Sequence, residues 1–337
     1  MEQTGQEGAI VYECTKCKAA FPSKNQLFKH IRTTTCTSKE GEEEEEEKRE
    51  QEVVIYVVGG RDRGNTLGVV EIFSSRSGTW EKYPHMLEQR GSHGVAAVGQ
   101  EIFAFSGGGI ESNLGTCEKF DPKEREWKFV APMQTKRHAL AAVSDGRRIF
   151  ASGGWEDGSK CTPTMESYDP QEDRWSRCAD MLVPRRLHGM THARGSIFVF
   201  GGASDDKYEI KSAEVYDISK DSWCSLPDMP VASYASAATL GDKIFVFLWG
   251  KSVLHFDTEQ RVYTKVCKLP LDEWYGFAIS SHAQRAFLIG GATKGRWTNR
   301  GFVFDARTSS WEELPSMGAV RRRCCAVAVE ANGPGGR

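Results

Sequence analysis

The sequence predicts an all-β fold: a six-bladed β-propeller closed by its own C-terminal strand, preceded by a small ββα segment organised by a metal site. Three observations carry this. A strand-rich unit recurs six times from residue 53 onward, its second aromatic residue returning mostly every 47 or 48 positions. The repeated region begins in the middle of a unit and ends on a run that would supply the missing part. Ahead of it, four cysteine and histidine residues stand at metal-ligand spacing.

Composition sets the bounds. The 337 residues are 39% hydrophobic and 27% charged, with no apolar run near the roughly 20 residues that span a bilayer. A membrane role is excluded by this reading. Met1 to Ile10 is polar, with no basic segment leading into an apolar core, so the chain reads as intracellular, cytoplasmic or nuclear. Its ten cysteines are then metal ligands and buried thiols rather than disulfides. Charge is unevenly spread: six basic and three acidic residues over 1–39, two basic and nine acidic over 40–52, and near balance beyond.

From Tyr12 the first segment, 10–38, reads Y-x-C-x2-C-x3-F-x5-L-x2-H-x5-C, marking Cys14, Cys17, Phe21, Leu27, His30 and Cys36. A C-x2-C pair suits the tight turn of a hairpin that offers two thiolates to one ion, while His30 and Cys36 project from a helix and its end. So short a segment cannot bury enough apolar surface to fold unaided; one Zn2+ supplies the missing free energy. Here the chain resembles a ββα zinc finger of the two-cysteine, two-histidine type, with Cys36 replacing the last imidazole. By that resemblance Ser23, Gln26 and Lys29 occupy the positions that face nucleic-acid bases. A single finger followed by an anionic stretch argues against sequence-specific DNA binding, and protein docking is the favoured reading.

Residues 39–52 contain six consecutive glutamates, Glu42 to Glu47, and read as an extended acidic linker. Residues 53–331 hold the repeats. Each ends a β-rich run in a glycine pair (Gly59-Gly60, Gly107-Gly108, Gly153-Gly154, Gly201-Gly202, Gly290-Gly291, with Trp249-Gly250 a degenerate copy). After a variable loop come two aromatics separated by six residues: Phe73 and Trp80, Phe120 and Trp127, Tyr168 and Trp175, Tyr216 and Trp223, Phe256 and Tyr263, Phe304 and Trp311. Alternating runs such as Glu101 to Phe105 fit blades of four antiparallel strands. Val53 starts at the second strand of a blade, and the run from Cys324 supplies the absent first strand, which closes the ring. Residues 332–337 read as a disordered tail. In period, glycine pair and aromatic spacing the region is similar to the kelch repeat.

That resemblance implies a face, built from the loops after the glycine pairs and those leading into each first strand, that receives a protein or peptide partner. The candidates are Arg61, Arg63, Trp155, Tyr208 and Trp297 from the first set, and Arg137, Arg186, Tyr234 and Trp274 from the second. Guanidinium forks and rings on rigid loops suit an acidic peptide. Arg90, Arg137, Arg185 and Arg321 each follow a methionine by four residues, which also fits a framework role between blades. His93, His138 and His188 recur near first strands and read as structural residues round the channel. No catalytic residues are assigned, since no nucleophile elbow, phosphate loop or repeated histidine pair appears. The chain is read as a monomeric, non-enzymatic adaptor or scaffold. Chromatin association through the finger and substrate capture for a ubiquitin ligase are the alternatives.

Overall fold

The computed structural model describes residues 52–331 except 64, 110–111 and 157–159, together with 3–4, 11–13, 20–23 and 26. It divides into two units, 1–51 and 52–337. In the first, Gln3–Thr4, Val11–Glu13 and Ala20–Phe21 form an antiparallel sheet with Tyr12 opposite Phe21. The Gln26 amide donates to Ser23 Oγ over 3.3 Å, an N-cap contact.

In the second unit the described residues make six four-stranded antiparallel sheets, the blades of a propeller. Blade 1 combines Cys325–Glu330 with Val53–Val58, Val70–Ser74 and Thr79–Tyr83, so its innermost strand comes from the far end of the chain. Blade 2 is Gly94–Val98, Glu101–Phe105, Cys117–Asp121 and Glu126–Val130. Blade 3 is Ala141–Ser144, Ile149–Ser152, Met165–Asp169 and Arg174–Cys178. Blade 4 is Gly189–Ala193, Ser196–Phe200, Ala213–Asp217 and Ser222–Leu226. Blade 5 is Ala235–Leu240, Lys243–Leu248, Ser252–Asp257 and Val262–Lys268. Blade 6 is Ala278–His282, Arg285–Ile289, Gly301–Asp305 and Ser310–Leu314. Glu52, expected in the linker, belongs to blade 1: Ser74 Oγ donates to its carboxylate over 2.8 Å.

The aromatic spacing is the geometry of a hairpin. In every blade the two rings lie directly opposite each other across the third and fourth strands, as Phe120 and Trp127 do, with centroids 4.8–5.3 Å apart. The outer ring then reaches back to the previous blade. Trp127 Nε1 donates to Pro84 O over 3.0 Å, Trp175 to Ala131 O, Trp223 to Ala179 O, Trp311 to Lys268 O and Trp80 to Pro315 O. In blade 5 the Tyr263 hydroxyl does the same with Pro227 O. The core therefore lies between blades, and each buried cluster draws on two neighbours. Val57 and Phe73 of blade 1, for example, pack with Phe287 and Ile289 of blade 6.

The glycine pair answers a close approach. Gly59 and Gly60 have φ of 57° and 107°, and a Cβ on Gly59 would stand 2.5 Å from the Arg90 carbonyl oxygen. Blade 2 corrects the sequence register. There Gly107, not Gly108, donates to the residue equivalent to Arg90 (Gly107 N to Arg137 O, 2.8 Å, as Gly60 N to Arg90 O, 2.8 Å). Ser106 thus fills the first place of the pair at φ 59°, and its hydroxyl donates to Arg137 O over 2.6 Å.

The residue that receives this glycine amide stitches two blades together. Its carbonyl binds one blade while its side chain enters the next. Arg185 donates to Gly201 O (2.9 Å), Ser212 O (2.8 Å) and Glu214 (2.5 Å) of blade 4. Arg90 with Glu118, Arg137 with Glu166 and Arg321 with Glu71 repeat the arrangement, all four arginines being fully buried. Each glutamate also accepts the amide just after the regularly spaced methionine, at Leu87, Gln134, Leu182 and Gly318. Burial lowers the proton affinity of Arg137 and Arg185 more than their glutamates raise it. Desolvation outweighs attraction, so the pair acts mainly on placement. Two stitches are altered on both sides at once. In one, Ser233 and Val253 hold the arginine and glutamate positions, and in the other Trp274 meets Phe302 at 5.5 Å while its Nε1 donates to Gly290 O over 2.7 Å.

Replacing Arg185 by alanine should leave Glu214 buried without a counter-charge and lower unfolding stability by about 3–5 kcal/mol, whereas R185M/E214L should recover at least half of that loss. Urea denaturation of the full chain measures both. A double variant as unstable as the single would contradict the placement argument.

Candidate partner-binding face

Because a stitch residue is fixed from both sides, the residue after it has a fixed backbone and a free choice of side chain. These six positions are Gly91, His138, Arg186, Tyr234, Tyr275 and Arg322. Five form short β-bridges with the residue after a glycine pair: Gly91 with Gly108, His138 with Trp155, Arg186 with Ala203, Tyr275 with Ala292 and Arg322 with Arg61. At the sixth, Tyr234 O accepts the Trp249 amide. The next residues, Ser92, Ala139, Leu187, Gly276 and Arg323, take φ between 52° and 64°. They are linked round the mouth: Ala139 N to Ser92 O, Leu187 N to Ala139 O, Arg323 N to Gly276 O and Ser92 N to Arg323 O, all 2.7–2.9 Å. This collar opens on a cavity of about 160 Å³, with Ala139, Leu187, Ala237 and Arg323 among its lining.

The structure brings Arg61, Arg186, Trp155, Tyr234 and Trp297 to this mouth. The Arg186 guanidinium lies 3.9 Å over the Trp155 ring, which stacks on His138 at 6.2 Å, and Arg322 lies 4.7 Å over Trp297. Such contacts contribute about 0.5–2 kcal/mol each and hold long side chains in place. Arg61 and Arg322 pair backbones directly, so their side chains leave the same face. Arg63 is exposed at the tip of the Arg61–Asp62/Asn65–Thr66 hairpin, and Tyr208 stands out at 85% exposure.

Two sequence candidates are corrected. Arg137 and Trp274 are both 0% exposed. Arg137 is a stitch held by Glu166, Gly153 O and Thr164 O, and Trp274 is the apolar substitute for one, so neither reaches a partner on this face. Sequence reasoning missed Arg322 and Arg323. Their signal is positional, since they directly follow the framework arginine at 321 as Arg186 follows 185.

The histidines also separate. His93 and His188 tuck beneath the glycine pair of the previous blade, where a Cβ on Gly59 or Gly153 would meet their Cε1 at 2.9 and 2.7 Å. Leu140, Ser236, Phe277 and Cys324 take that place in the other blades, one residue beyond the collar. His138 is two residues earlier in its repeat and belongs to the mouth, its Nδ1 lying 2.7 Å from Asn113 Oδ1. Burial, and then the Arg90 charge, pushes His93 down to about 3, and burial holds His188 well below the usual imidazole range. Among the described residues no group of three or more histidine, cysteine or acidic side chains could hold a metal, and no helix is long and apolar enough to cross a membrane. Cys14, Cys17, His30, Cys36 and Lys29 lie outside the described residues. Ser23 Oγ is engaged as the N-cap of Gln26.

Family models described as Kelch motif match residues 54–87, 89–134, 136–182 and 184–230, and a second Kelch motif model matches 273–318, together more than half of the chain. The intervening stretch holds blade 5, which lacks the glycine pair, the arginine and the glutamate. Kelch-like protein 7 of Rattus norvegicus is 33% identical over 99 residues, covering 29% of this chain and 17% of that protein. Kelch-like protein 26 of Danio rerio is 28% identical over 104 residues, covering 31% and 17%. Kelch domain-containing protein 8B of Homo sapiens is 31% identical over 100 residues, covering 28% of each. The chain thus spans well under a third of the length of these curated relatives.

Buried neutral imidazoles make stability fall in acid. Below its ordinary pKa of 6.5 the unfolded chain takes up a proton that folded His93 refuses until about 3, so stability present above 6.5 is lost as pH falls through that window. His93→Leu, which installs the side chain that Leu140 already carries at the equivalent place in blade 3, should reduce the acid-limb slope by about 1.4 kcal/mol per pH unit. Urea unfolding at a series of pH values from 7 to 4 reads this, and an unchanged slope would place the imidazole's proton elsewhere.

Proposed function

This chain belongs to the kelch-repeat family, and from that we propose that its propeller is a protein-interaction module whose channel mouth takes an extended acidic segment of a partner protein. The carrying observation is the set of six mouth positions on one fixed backbone collar, where Arg61, Arg186, Arg322 and Arg323 converge with Trp155, Trp297 and Tyr234. Guanidinium edges bind carboxylates in forked pairs, and rings bury area at low entropic cost. The arginines are already positioned by stacking and by the collar, so little ordering is left to binding. Arg63 and Tyr208, on hairpin and loop above the mouth, extend the surface. The reading makes the module a monomeric, non-enzymatic adaptor, and takes the pairing of Cys325–Glu330 with Val53–Val58 as the latch that closes the ring.

The first unit completes the proposal. Cys14, Cys17, His30 and Cys36 hold one Zn2+ in a finger that serves as a second docking point. The antiparallel pairing of Val11–Glu13 with Ala20–Phe21 is consistent with it, being the strand pairing that the ββα resemblance implies. The neighbouring glutamates disfavour nucleic acid as its ligand.

Two measurements test this. On arrays of decapeptides with glutamate or lysine placed in turn at each position, the full chain should retain acidic members. R186A/R322A should weaken that retention at least tenfold, as expected for two charge-assisted contacts; equal retention of lysine peptides would end the reading. Purified chain should carry one equivalent of zinc by elemental analysis, lost in C17S/C36S, and metal retained by that variant would remove the ligand assignment.

A further inference from the structure

The mouth carries more positive charge than a carboxylate can answer. Arg61 and Arg322 are directly opposite in a β-bridge, with Arg61 N to Arg322 O at 2.9 Å and Arg322 N to Arg61 O at 3.2 Å. Like charges in that relation repel unless an anion sits between them. Arg323 follows at φ 54°, a conformation that turns it into the cavity lining. Arg186 holds the position equivalent to Arg322 three blades round the ring. Among the described residues none of the four is ion-paired, and the Nε atoms of Arg61, Arg186 and Arg322 are buried without a hydrogen-bond partner. The acids nearby do not answer them: Asp205 accepts the Cys161 amide at 2.7 Å, and Asp62 has a buried, unpartnered Oδ1. Burial, and then the charges of Arg322, Arg61 and Arg186, lowers the proton affinity of Arg323, which places the four within one another's field. Stacking of Arg186 on Trp155 and of Arg322 on Trp297 occupies the guanidinium faces and leaves their N–H edges to bind.

We propose that this mouth is a phosphate-recognition site, in which Arg61, Arg186, Arg322 and Arg323 take the side chain of a phosphoserine or phosphothreonine carried on an extended segment of a partner protein. The proposal rests on the acidic-peptide reading above and narrows it. A phosphate monoester brings a charge of about −1.5 to −2 and three acceptor oxygens, against one charge and two oxygens for a carboxylate, and so matches a cluster of four forks. The cavity beneath is lined by Ala139, Leu187 and Ala237 together with Ser92, Ser236 and Arg323, which leaves room for the side chain next to the phosphorylated residue to enter.

The test uses the full chain and three oriented peptide libraries with identical random flanks and a fixed central phosphoserine, glutamate or serine, compared by fluorescence anisotropy. Phosphoserine should bind at least tenfold more tightly than glutamate, and phosphatase treatment should abolish the difference. R322K, which keeps the charge but loses the fork, should weaken phosphoserine binding more than glutamate binding and so cut the preference at least threefold; thermal melting confirms that it folds. Equal affinity for phosphoserine and glutamate overturns the phosphate site and leaves the acidic-peptide reading intact. Equal affinity for all three libraries overturns both. Inorganic phosphate displacing the peptide at concentrations near the peptide's own Kd would overturn the requirement for a protein segment.

Discussion

Everything on the binding face depends on a buried side chain that crosses from one blade to the next. Arg90, Arg137, Arg185 and Arg321 each give a carbonyl to one glycine pair and a guanidinium to the carbonyl and glutamate of the following blade. As a source of free energy such a pair is weak, because both ions lose their water. As a spacer it is strict. It fixes the chain on both sides of one peptide unit, and the residue that comes next is delivered to the channel mouth. The positions that vary freely are therefore the ones most rigidly held.

The two substituted stitches show which part of the interaction matters. Where glutamate is replaced by Phe302, arginine is replaced by Trp274, and the indole keeps the hydrogen bond to the first-glycine carbonyl while its ring fills the space of the ion pair. Where Val253 stands, Ser233 suffices. At Trp274 the carbonyl contact is retained; the charge is dispensable only when both partners change together, since a lone buried glutamate or arginine would be left unanswered.

The blades were legible in the sequence because their signals are short-range and repeated. An aromatic pair across a hairpin and a glycine forced to positive φ recur whatever the surroundings, and the unmatched runs at 53 and 324 already imply a shared blade. The binding face was only half legible. Arg186, Arg61 and Trp155 stood out by residue type, yet Arg137 has the same type and is framework, because a guanidinium bound to a buried glutamate and one facing solvent look alike without register. The glycine run 107–109 hid a similar slip: it offers two glycine pairs, neither of which is the structural one, and only the Gly107 amide that reaches Arg137 O shows that Ser106 belongs to the pair. Arg322 and Arg323 went unnoticed because they follow a framework residue at the end of the repeats, where no complete unit remains for comparison.

The shared blade has a consequence for how the protein is made. Val53–Val58 is translated about 270 residues ahead of its partner Cys325–Glu330. At ordinary synthesis rates the nascent chain carries an open, apolar strand edge for roughly 15–50 seconds. During that interval the edge can pair with any other extended segment it meets, so the molecule's greatest exposure to aggregation falls on the ribosome rather than in the finished protein, and chaperone demand should scale with translation time.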